Sequence, residues 1–391
     1  MRVAFVLPPG DSWTGGINYL DNLLSVFSEN PQLGITPVLF HTAETNPAYV
    51  QRLKKHLGSE PICMPAQATG RSARWLRAAG NALALKNRQL ESIFREQDID
   101  LVFQTSFWCG KRFVIPTLCW LPDFQHKHLP HFFTRFGLLK RELGYRLMSL
   151  ESSCILVSSQ TSRADCAHFY PTSRNKLQVL PFRVKPGNRV EPSKRQAVLA
   201  EHGIDRPYVY LPNQLWQHKN HEVVLRAIRK TLETDPSTRV LIVATGGAED
   251  PRHPGHPDKL FDYIKTHELQ DHFRFLGLVP YEHVSILMQG ADYMINPSFF
   301  EGWSTTVEEA RSFGKSMLLS DIPIHREQVG EDAVFFDPHD ASQLAALLLA
   351  AANQELATLD AAAGQEQYQA LRAEFVHRTA HIFRTAAASG K

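Results

Sequence analysis

The chain has 391 residues, of which 43% are hydrophobic and 21% charged, as in ordinary globular proteins and unlike disordered or collagen-like chains. At about 150 residues per domain, this length predicts two or three domains. The 42 Lys and Arg residues against 40 Asp and Glu give a net charge of +2. That charge is too small for a protein that neutralises many phosphates, so nucleic acid is a poor candidate partner.

The start of the chain and its apolar runs favour a cytoplasmic protein. Residues 1–10 lack the apolar core of a signal peptide. The longest strongly apolar run, Leu344 to Ala352, is nine residues, short of the roughly 20 needed to cross a bilayer. The five cysteines form no CxxC pair, and His253 and His256 lack metal-site spacing with any Cys. We therefore expect neither disulfides nor a bound metal.

In the first half of the chain, short β-rich runs alternate with helical patterns, which is typical of βαβ units in a parallel sheet. A strand from Arg2 to Leu7 precedes a turn containing Gly15 and Gly16, and then a helix from Ile17 to Phe27. From Asn175 to Arg195, prolines and basic residues replace the periodicity and predict a linker. Further strands are predicted at Val38 to Phe40, Asp100 to Phe103, Phe113 to Trp120 and Cys154 to Val157.

A second alternation follows the linker. The sequence thus predicts an α/β protein with two doubly wound parallel-sheet domains, at residues 1–185 and 186–365. Residues 366–391 form a C-terminal helix, for which packing on the first domain is one option. We expect a ligand-binding cleft between the carboxyl ends of the two sheets. Strands are predicted at Tyr208 to Leu211, Arg239 to Val243, Phe273 to Leu276, Tyr293 to Ile295, Met317 to Leu319 and Ala333 to Phe336.

The most specific pattern runs from Pro297 to Ala310, after a predicted buried strand. The helix that follows offers unpaired backbone N–H groups and the positive end of its dipole, which suit a phosphate. Gly302 allows a ligand to approach the backbone closely. Glu301 and Glu309, about two turns apart, can reach separate hydroxyl pairs of one extended ligand. That arrangement suits a sugar nucleotide, although capping and solvation of the helix start would explain the spacing equally well.

This segment resembles the E-x7-E signature of the retaining glycosyltransferases of family 4, with Glu301 and Glu309 at its two acidic positions. The similarity is clear over Tyr208 to Pro338 and weaker upstream. It implies a GT-B fold of two Rossmann-like domains, with the nucleotide sugar held mainly by the C-terminal domain and the acceptor by the N-terminal one. Flanking segments agree in order, at Leu276 to Val279, Ala291-Asp292, Ser320 to Pro323, Glu327 to Gly330 and Ala333 to Pro338.

The resemblance implies a role for each matching residue. Glu309 would hold the ribose hydroxyls and Glu301 those of the donor sugar, while Lys219 matches the lysine that binds the diphosphate. Gly15 and Gly16 match a glycine pair whose backbone approaches the donor phosphate. The predicted donor-binding residues are Gly15, Gly16, Asn213, Gln214, His218, Lys219, Val279, Glu301, Gly302, Trp303, Ser304, Thr305 and Glu309.

The chain departs from the family pattern beside Lys219. The family commonly has an arginine five positions before this lysine, where the chain has Gln214. Another group must then meet part of the diphosphate charge, with His218 and helix dipoles as candidates.

A second departure lies in the N-terminal half, where Pro122 replaces the histidine of the family's His-Asp pair and Asp123 is retained. His126 or His128 could take the place of that histidine near the acceptor hydroxyl. A His-rich loop that merely caps the next helix is the alternative. The candidate catalytic residues are Lys219, Glu301, Asp123 and His126.

The resemblance implies a retaining glycosyltransferase that moves a sugar from a nucleotide-diphosphate sugar to a hydroxyl of a saccharide acceptor, often lipid-linked in bacterial relatives. No cofactor is expected. No metal is expected either, because neither an Asp-x-Asp triplet nor a comparable carboxylate pair stands out in the N-terminal half as a set of ligands. A nucleotide-sugar epimerase of the same fold and a catalytically inactive sugar-nucleotide-binding relative are the alternatives.

One helical pattern suggests a membrane surface. Phe132, Phe136, Leu139 and Leu143 recur at helical spacing among basic residues, which predicts a basic amphipathic helix. The stretch from Arg71 to Arg95 adds further positive charge. Such a face could rest on the anionic inner leaflet of the plasma membrane. Packing of the apolar stripe against the core is the alternative.

Overall fold

The computed structural model describes residues 1–10, 14–65, 81, 85–105 and 107–389. The chain divides into two compact units. Unit 1 comprises Met1–Phe124, Phe136–Arg183 and Arg372–Lys391, and unit 2 comprises Gln125–Arg135 and Val184–Leu371. Each unit contains a parallel sheet with helices, so the predicted α/β class is confirmed.

Unit 1 is built on a parallel sheet with the strand order β3-β2-β1-β4-β5-β6-β7. Its central strands are continuous apolar runs because helices cover both faces of such a sheet. The strands are β1 (Arg2–Val6), β2 (Thr36–His41), β3 (Ile62–Cys63), β4 (Leu101–Gln104), β5 (Thr117–Trp120), β6 (Cys154–Val157) and β7 (Leu177–Val179).

The helices of the first 183 residues connect these strands. Within the described residues they are α1 (Thr14–Glu29), α2 (Pro47–Lys54), α3 (Arg88–Glu96), α4 (Gln125–His128), α5 (Arg135–Glu151) and α6 (Gln160–Phe169). The last helix of the chain also contributes to unit 1. Its Phe383 ring stacks on Phe103 of β4 at 5.9 Å between ring centroids, and Arg372 forms an ion pair with Glu29 at 2.8 Å.

Unit 2 contains a second parallel sheet with the order β10-β9-β8-β11-β12-β13. The chain leaves β8 toward one edge and returns to β11 on the other side of β8, where Tyr293 pairs with Val209. In doubly wound sheets, ligands bind at this reversal, beyond the carboxyl ends of the strands. The strands are β8 (Val209–Leu211), β9 (Ile242–Ala244), β10 (Phe273–Phe275), β11 (Tyr293–Asn296), β12 (Ser316–Ser320) and β13 (Val334–Phe336).

The helices that accompany this second sheet are α7 (Pro192–Glu201), α8 (His221–Thr234), α9 (His256–Thr266), α10 (Tyr281–Gly290), α11 (Thr305–Ser312), α12 (Pro323–Val329), α13 (Ala341–Ala352) and α14 (Ala361–Ala388). Buried side chains of the sheet and these helices form the core. Leu344 and Leu348 of α13, for example, pack in one cluster with Leu225 and Ile228 of α8.

Three local predictions are wrong. The predicted linker from Asn175 to Arg195 contains β7, which pairs with β6, and the start of α7. A strand of three residues is too short to show periodicity. Strand β5 begins at Thr117 instead of Phe113. Gly15 and Gly16 lie in the first turn of α1 instead of a preceding turn, where glycine costs little because the backbone N–H groups there have no intrahelical partner.

The predicted amphipathic helix is present as α5, but it begins at Arg135, and Phe132 lies buried in a preceding 3-10 turn. The other apolar positions of the stripe face solvent: Phe136 is 76% exposed, Leu139 67% and Leu143 56%. Arg74 and Arg77 of the second basic stretch lie outside the described residues. None of the helices in the described parts of the chain is both long and apolar enough to cross a bilayer.

Candidate active site

Asn220 holds together three loops that leave the carboxyl ends of strands in unit 2. It follows the 3-10 turn Gln217–Lys219 and adopts a left-handed conformation with φ 56°, which asparagine tolerates better than most residues. Its Nδ2 donates to the carbonyl of Pro297, after β11, at 3.0 Å and to that of Pro338, after β13, at 2.8 Å. The backbone beside Lys219 is therefore fixed to the loop that carries Glu301.

Gly246 lets the loop after β9 approach the loop after β8. Its φ is +147°, and a Cβ at this position would lie 2.5 Å from the carbonyl oxygen of Asn213. The Gly246 N–H donates to the carbonyl of Gly277 at 2.9 Å. At the next residue, Gly247 O accepts from the Leu215 N–H at 3.0 Å, and the Asp250 carboxylate accepts from the Gln217 N–H at 2.9 Å, so backbone and side-chain contacts both hold the Asn213–Lys219 segment on this side.

Lys219 and Glu301 meet at the reversal between β8 and β11. Lys219 Nζ lies 2.6 Å from Glu301 Oε1, and both side chains are largely buried. The Ser298 hydroxyl donates to the same carboxylate oxygen at 2.7 Å. The predicted diphosphate lysine and sugar-binding glutamate are thus neighbours in space, although 82 positions separate them in the chain.

The charge of Glu301 is stabilised by its surroundings. Burial alone would raise the pKa of this carboxyl group, but the Lys219 ammonium outweighs that effect and, with His218 and His325, lowers the pKa to about 2. Glu301 is therefore a carboxylate at neutral pH. Its oxygens can accept hydrogen bonds from hydroxyl groups.

His325 of α12 is a buried neutral base coupled to Glu301. Burial lowers the pKa of its imidazole to about 4, against the opposing effect of the Glu301 charge. Its Nδ1 donates to the carbonyl of Ser320 at 2.9 Å, which leaves Nε2 as an acceptor. Nε2 is buried and has no hydrogen-bond partner among the described residues; the same is true of Asn213 Nδ2. The hydrogen-bonding capacity of both atoms is thus unused by the described residues.

The start of α11 is a well-built helix N-terminus. Ser304 is its N-cap and accepts from the Val307 N–H at 3.4 Å. Gln328 of α12 holds this cap, because its Oε1 accepts from the Ser304 N–H at 3.3 Å and its Nε2 donates to the Ser304 carbonyl at 2.8 Å. Trp303 is buried and Thr305 is the first helical residue, so the predicted phosphate-facing segment lies at the positive end of a fixed helix.

The two adjacent glutamates of α11 differ in environment. Glu308 is fully buried and accepts from Gln328 Nε2 at 2.8 Å, with Arg311 at 3.6 Å. Glu309 lies on the open side of the helix, where the Tyr281 hydroxyl donates to its Oε1 at 3.2 Å. Of the two, Glu309 is the carboxylate that can reach a ligand.

The other residues predicted to bind the donor lie in different parts of the structure. His218 is buried, and its carbonyl accepts from the Phe299 N–H at 2.9 Å, a third link between the loops after β8 and β11. Gln214 and Val279 are half-buried, and Val279 packs at the edge of the core between α10 and the sheet. Gly15 and Gly16 belong to unit 1, at the start of α1.

Asp123 has a structural partner in unit 1. Arg141 Nη2 donates to its Oδ1 at 2.6 Å and also to the Tyr145 hydroxyl at 3.0 Å, which in turn donates to the Asp123 carbonyl at 3.0 Å. This carboxylate is therefore held by a guanidinium in a network of three residues.

His126 is a buried residue of α4, which is part of unit 2. The last residue of this short helix contacts the loop before Glu301, because the His128 ring stacks on Phe300 at 5.3 Å between centroids. Gln125 Oε1 accepts from Arg252 Nη1 at 2.8 Å. These contacts fix the His126 segment beside the Glu301 loop.

The sequence did not indicate four residues that shape this site. Asn220 joins three loops, Ser298 contacts Glu301, His325 supplies a buried acceptor and Gln328 holds the cap of α11. Ser298 and Gln328 lie within segments that carry the family resemblance. Their side-chain roles depend on tertiary contacts for which no spacing rule exists.

Residues 195–369 match the sequence model of the family Glycosyl transferases group 1. The matched residues make up a little under half of the chain. The match includes Lys219, Glu301 and Glu309, and it confirms the resemblance to glycosyltransferases of the GT-B type.

Named relatives agree with the group 1 assignment. The chain is 25% identical over 191 residues to a D-inositol 3-phosphate glycosyltransferase of Nocardia farcinica, covering 47% of this chain and 41% of that protein. It is 30% identical over 92 residues to O-antigen chain mannosyltransferase B of Escherichia coli, covering 24% of each. The chain thus spans about half or less of the length of the curated relatives it matches.

The fold has close structural relatives over its whole length. The crystal structure of Anabaena Alr3699/HepE in complex with UDP and glucose superposes with a TM-score of 0.71 at 15% identity, covering 99% of this chain and 100% of that one. At this identity the likeness concerns the fold, and it confirms the predicted GT-B class.

Proposed function

We propose that the protein transfers a sugar from a nucleotide-diphosphate sugar to a hydroxyl group of a saccharide acceptor. The observation that carries this proposal is the Lys219–Glu301 pair at the sheet reversal of unit 2, immediately before the N-terminus of α11. The lysine can bind the diphosphate of such a donor, and the carboxylate can accept hydrogen bonds from the sugar hydroxyls. The helix N-terminus can bind the phosphate oxygens.

When the donor binds, Lys219 and Glu301 would give up their contact with each other and each would contact the donor instead. The diphosphate draws the Lys219 ammonium away, and the carboxylate of Glu301 then accepts hydrogen bonds from the sugar hydroxyls. His325 Nε2 and Asn213 Nδ2, both buried and without a described partner, supply one further acceptor and one donor. Glu309 accepts from the ribose hydroxyls in place of the Tyr281 hydroxyl that it now contacts.

The diphosphate carries more charge than Lys219 alone can balance. Gln214, which is uncharged, occupies the position at which the family that this segment resembles commonly has an arginine. We assign the remaining stabilisation to His218 and to the backbone N–H groups at the start of α11, whose dipole favours an anion.

The proposed transfer retains the anomeric configuration. The bond between the anomeric carbon and the phosphate oxygen breaks, the acceptor oxygen attacks from the same face, and its proton passes to the departing phosphate. The protein positions both reactants, and Lys219 stabilises the charge that grows on the leaving group. Asp123 and His126 are proposed to lie near the acceptor hydroxyl. We expect no cofactor and no divalent metal in this reaction.

We place the acceptor at the inner face of a bacterial plasma membrane. The exposed stripe Phe136, Leu139 and Leu143 of α5 supports this placement, with Arg135, Lys140 and Arg146 exposed beside it. An apolar strip flanked by cations suits an anionic lipid surface. Relatives named as O-antigen chain mannosyltransferases support a polysaccharide chain as the acceptor class, and we propose that this chain is lipid-linked.

A donor screen tests the proposal. Purified protein is melted with UDP, GDP, ADP and CDP sugars, and one nucleotide class is expected to raise the melting temperature. A ligand at 100 times its dissociation constant adds about 2.7 kcal/mol to the free energy of unfolding. The bound donor is then incubated without acceptor. Conversion to an isomeric nucleotide sugar would indicate an epimerase, and binding with neither hydrolysis nor transfer would indicate an inactive relative.

A further inference from the structure

We propose that Glu201, His202 and His283 form a binding site for a zinc ion, separate from the donor site. Their ligand atoms, one carboxylate oxygen and two imidazole nitrogens, all lie within 4.8 Å of one another. One carboxylate and two imidazoles are a common ligand set for Zn²⁺, with water in the fourth position. The ion would join the end of α7 to the first turn of α10.

The distance between the two imidazoles is close to the one that zinc requires. His202 Nε2 lies 3.1 Å from His283 Nδ1. Two nitrogens bound tetrahedrally at about 2.0–2.1 Å from one Zn²⁺ are separated by about 3.3 Å. An ion can therefore replace the hydrogen bond between the rings with a shift of a few tenths of an ångström. Both histidines are half-buried, whereas Glu201 is exposed and can turn toward the ion.

The end of α7 holds two of these ligands in place. Gly203 adopts a left-handed conformation with φ +65°, and its N–H donates to Ala200 O at 3.0 Å while that of Ile204 donates to Leu199 O at 2.8 Å. This pair of bonds is the Schellman ending of a helix, in which His202 is the C-cap. Arg274 Nη1 also donates to the His202 carbonyl at 3.1 Å. The backbone that presents the ligands is thus fixed without a metal.

The start of α10 is equally well held against α7. The His283 N–H donates to the carbonyl of Pro280 at 2.8 Å. The neighbouring Glu282 forms an ion pair with Lys194 of α7, and Val284 packs on the same core as Leu199. The two helices are in contact before any ion binds, so zinc would find its ligands assembled and would strengthen this contact. We assign the ion a structural role.

Calorimetric titration of Zn²⁺ into the chelator-treated 391-residue protein tests this site. We expect one equivalent to bind and the melting temperature to rise, and both effects to be lost in His202→Ala and His283→Ala. His377→Ala, which removes an exposed histidine outside the cluster, should bind zinc as the wild type does. Circular dichroism melts without metal check that the variants fold.

Cobalt provides a second readout that does not depend on stability. Co²⁺ in a tetrahedral nitrogen and oxygen site gives intense visible absorption, which Glu201→Gln should weaken and the two histidine variants should abolish. Zinc uptake of the same stoichiometry and affinity in a His202→Ala/His283→Ala double variant would overturn the proposal, as would the absence of binding to wild type at millimolar Zn²⁺. Neither outcome bears on the donor site.

Discussion

Lys219 Nζ lies 2.6 Å from Glu301 Oε1, so two side chains proposed to bind different parts of the donor form an ion pair with each other. Their contact connects the loop after β8 to the loop after β11. It keeps a carboxylate charged inside the protein and holds the lysine where a diphosphate would arrive. These contacts within the protein fix the relative positions of the two side chains in the proposed donor site.

Replacing Lys219 tests its role toward the leaving group. We expect Lys219→Met to slow sugar transfer by a factor of about 100 or more, because charge on the departing diphosphate loses its main cation. The change in kcat should exceed the change in KM. Lys265→Met, at an exposed position of α9, is the matched control and should keep wild-type rates. Equal loss of activity in both variants would argue against the assignment.

The Lys219–Glu301 pair also predicts a pH dependence of stability. The pKa of Glu301 falls from an ordinary value of 4.5 to about 2 on folding, so its contribution is complete above about pH 5 and is lost as the pH falls toward 2. We expect Glu301→Gln to lower the free energy of unfolding at pH 7, and the gap to wild type to narrow below about pH 5 and to close as the pH approaches 2. Urea unfolding at several pH values measures this gap.

A gap that stays constant with pH would show that Glu301 is not stabilised as a carboxylate. Glu355→Gln, at an exposed position, controls for the loss of one negative charge.

The two glutamates of α11 should respond differently to substitution. Glu309→Gln is expected to weaken nucleotide-diphosphate binding about 10- to 100-fold, since a charge-assisted hydrogen bond contributes about 1.5–3 kcal/mol, with little change in melting temperature. Glu308→Ala removes a buried carboxylate beside Gln328 and Arg311, and should cost about 3 kcal/mol of stability. Calorimetric titration with the nucleotide measures the effect on binding, and urea unfolding measures the effect on stability. Loss of binding in the Glu308 variant and loss of stability in the Glu309 variant would contradict these assignments.

Gly246 provides a test of the close approach between the loops after β8 and β9. Gly246→Ala places a methyl group 2.5 Å from the Asn213 carbonyl at a positive φ, so we expect a loss of about 1–3 kcal/mol in stability and weaker donor binding. At Gly247 the nearest atom to an added Cβ is 4.0 Å away, in the Gln214 side chain, and Gly247→Ala should be tolerated. Similar unfolding curves for both variants would contradict the structure of this loop.

The exposed stripe of α5 predicts binding to anionic vesicles. Phe136→Ser/Leu139→Ser should lower the affinity for phosphatidylglycerol vesicles at least about tenfold, because burying one large apolar side chain contributes roughly 1.5–3 kcal/mol. Leu278→Ser removes a side chain that is 83% exposed elsewhere and serves as the control. Co-sedimentation at low and high salt measures binding. If the wild type did not bind the vesicles at low salt, the proposed membrane association would be contradicted.

The sequence was most informative where a pattern is local. Apolar runs such as Tyr293 to Ile295 predicted the sheet strands, and the pattern from Pro297 to Ala310 predicted the helix α11, which begins at Thr305. Strand β7 was missed because three residues carry no periodicity. The helix α5 was predicted, but the exposure of Phe136 depends on which faces the rest of the chain covers.

Contacts between distant segments were beyond any spacing rule. Asn220 contacts the carbonyls of Pro297 and Pro338, which follow it by 77 and 118 positions. His202 and His283 are 81 positions apart and meet because α7 packs on α10. Such contacts depend on the order of the strands in the sheet, and that order cannot be read from a single sequence.

Donor cleavage by the purified protein tests the central claim most directly. The nucleotide sugar that raises the melting temperature is incubated with wild type and with Lys219→Met, with and without a saccharide acceptor, and the released nucleoside diphosphate is measured. We predict slow release by wild type that an acceptor accelerates, and release by Lys219→Met that is about 100-fold slower. Failure of wild type to cleave or transfer from any UDP, GDP, ADP or CDP sugar would contradict the assignment of this protein as a glycosyltransferase.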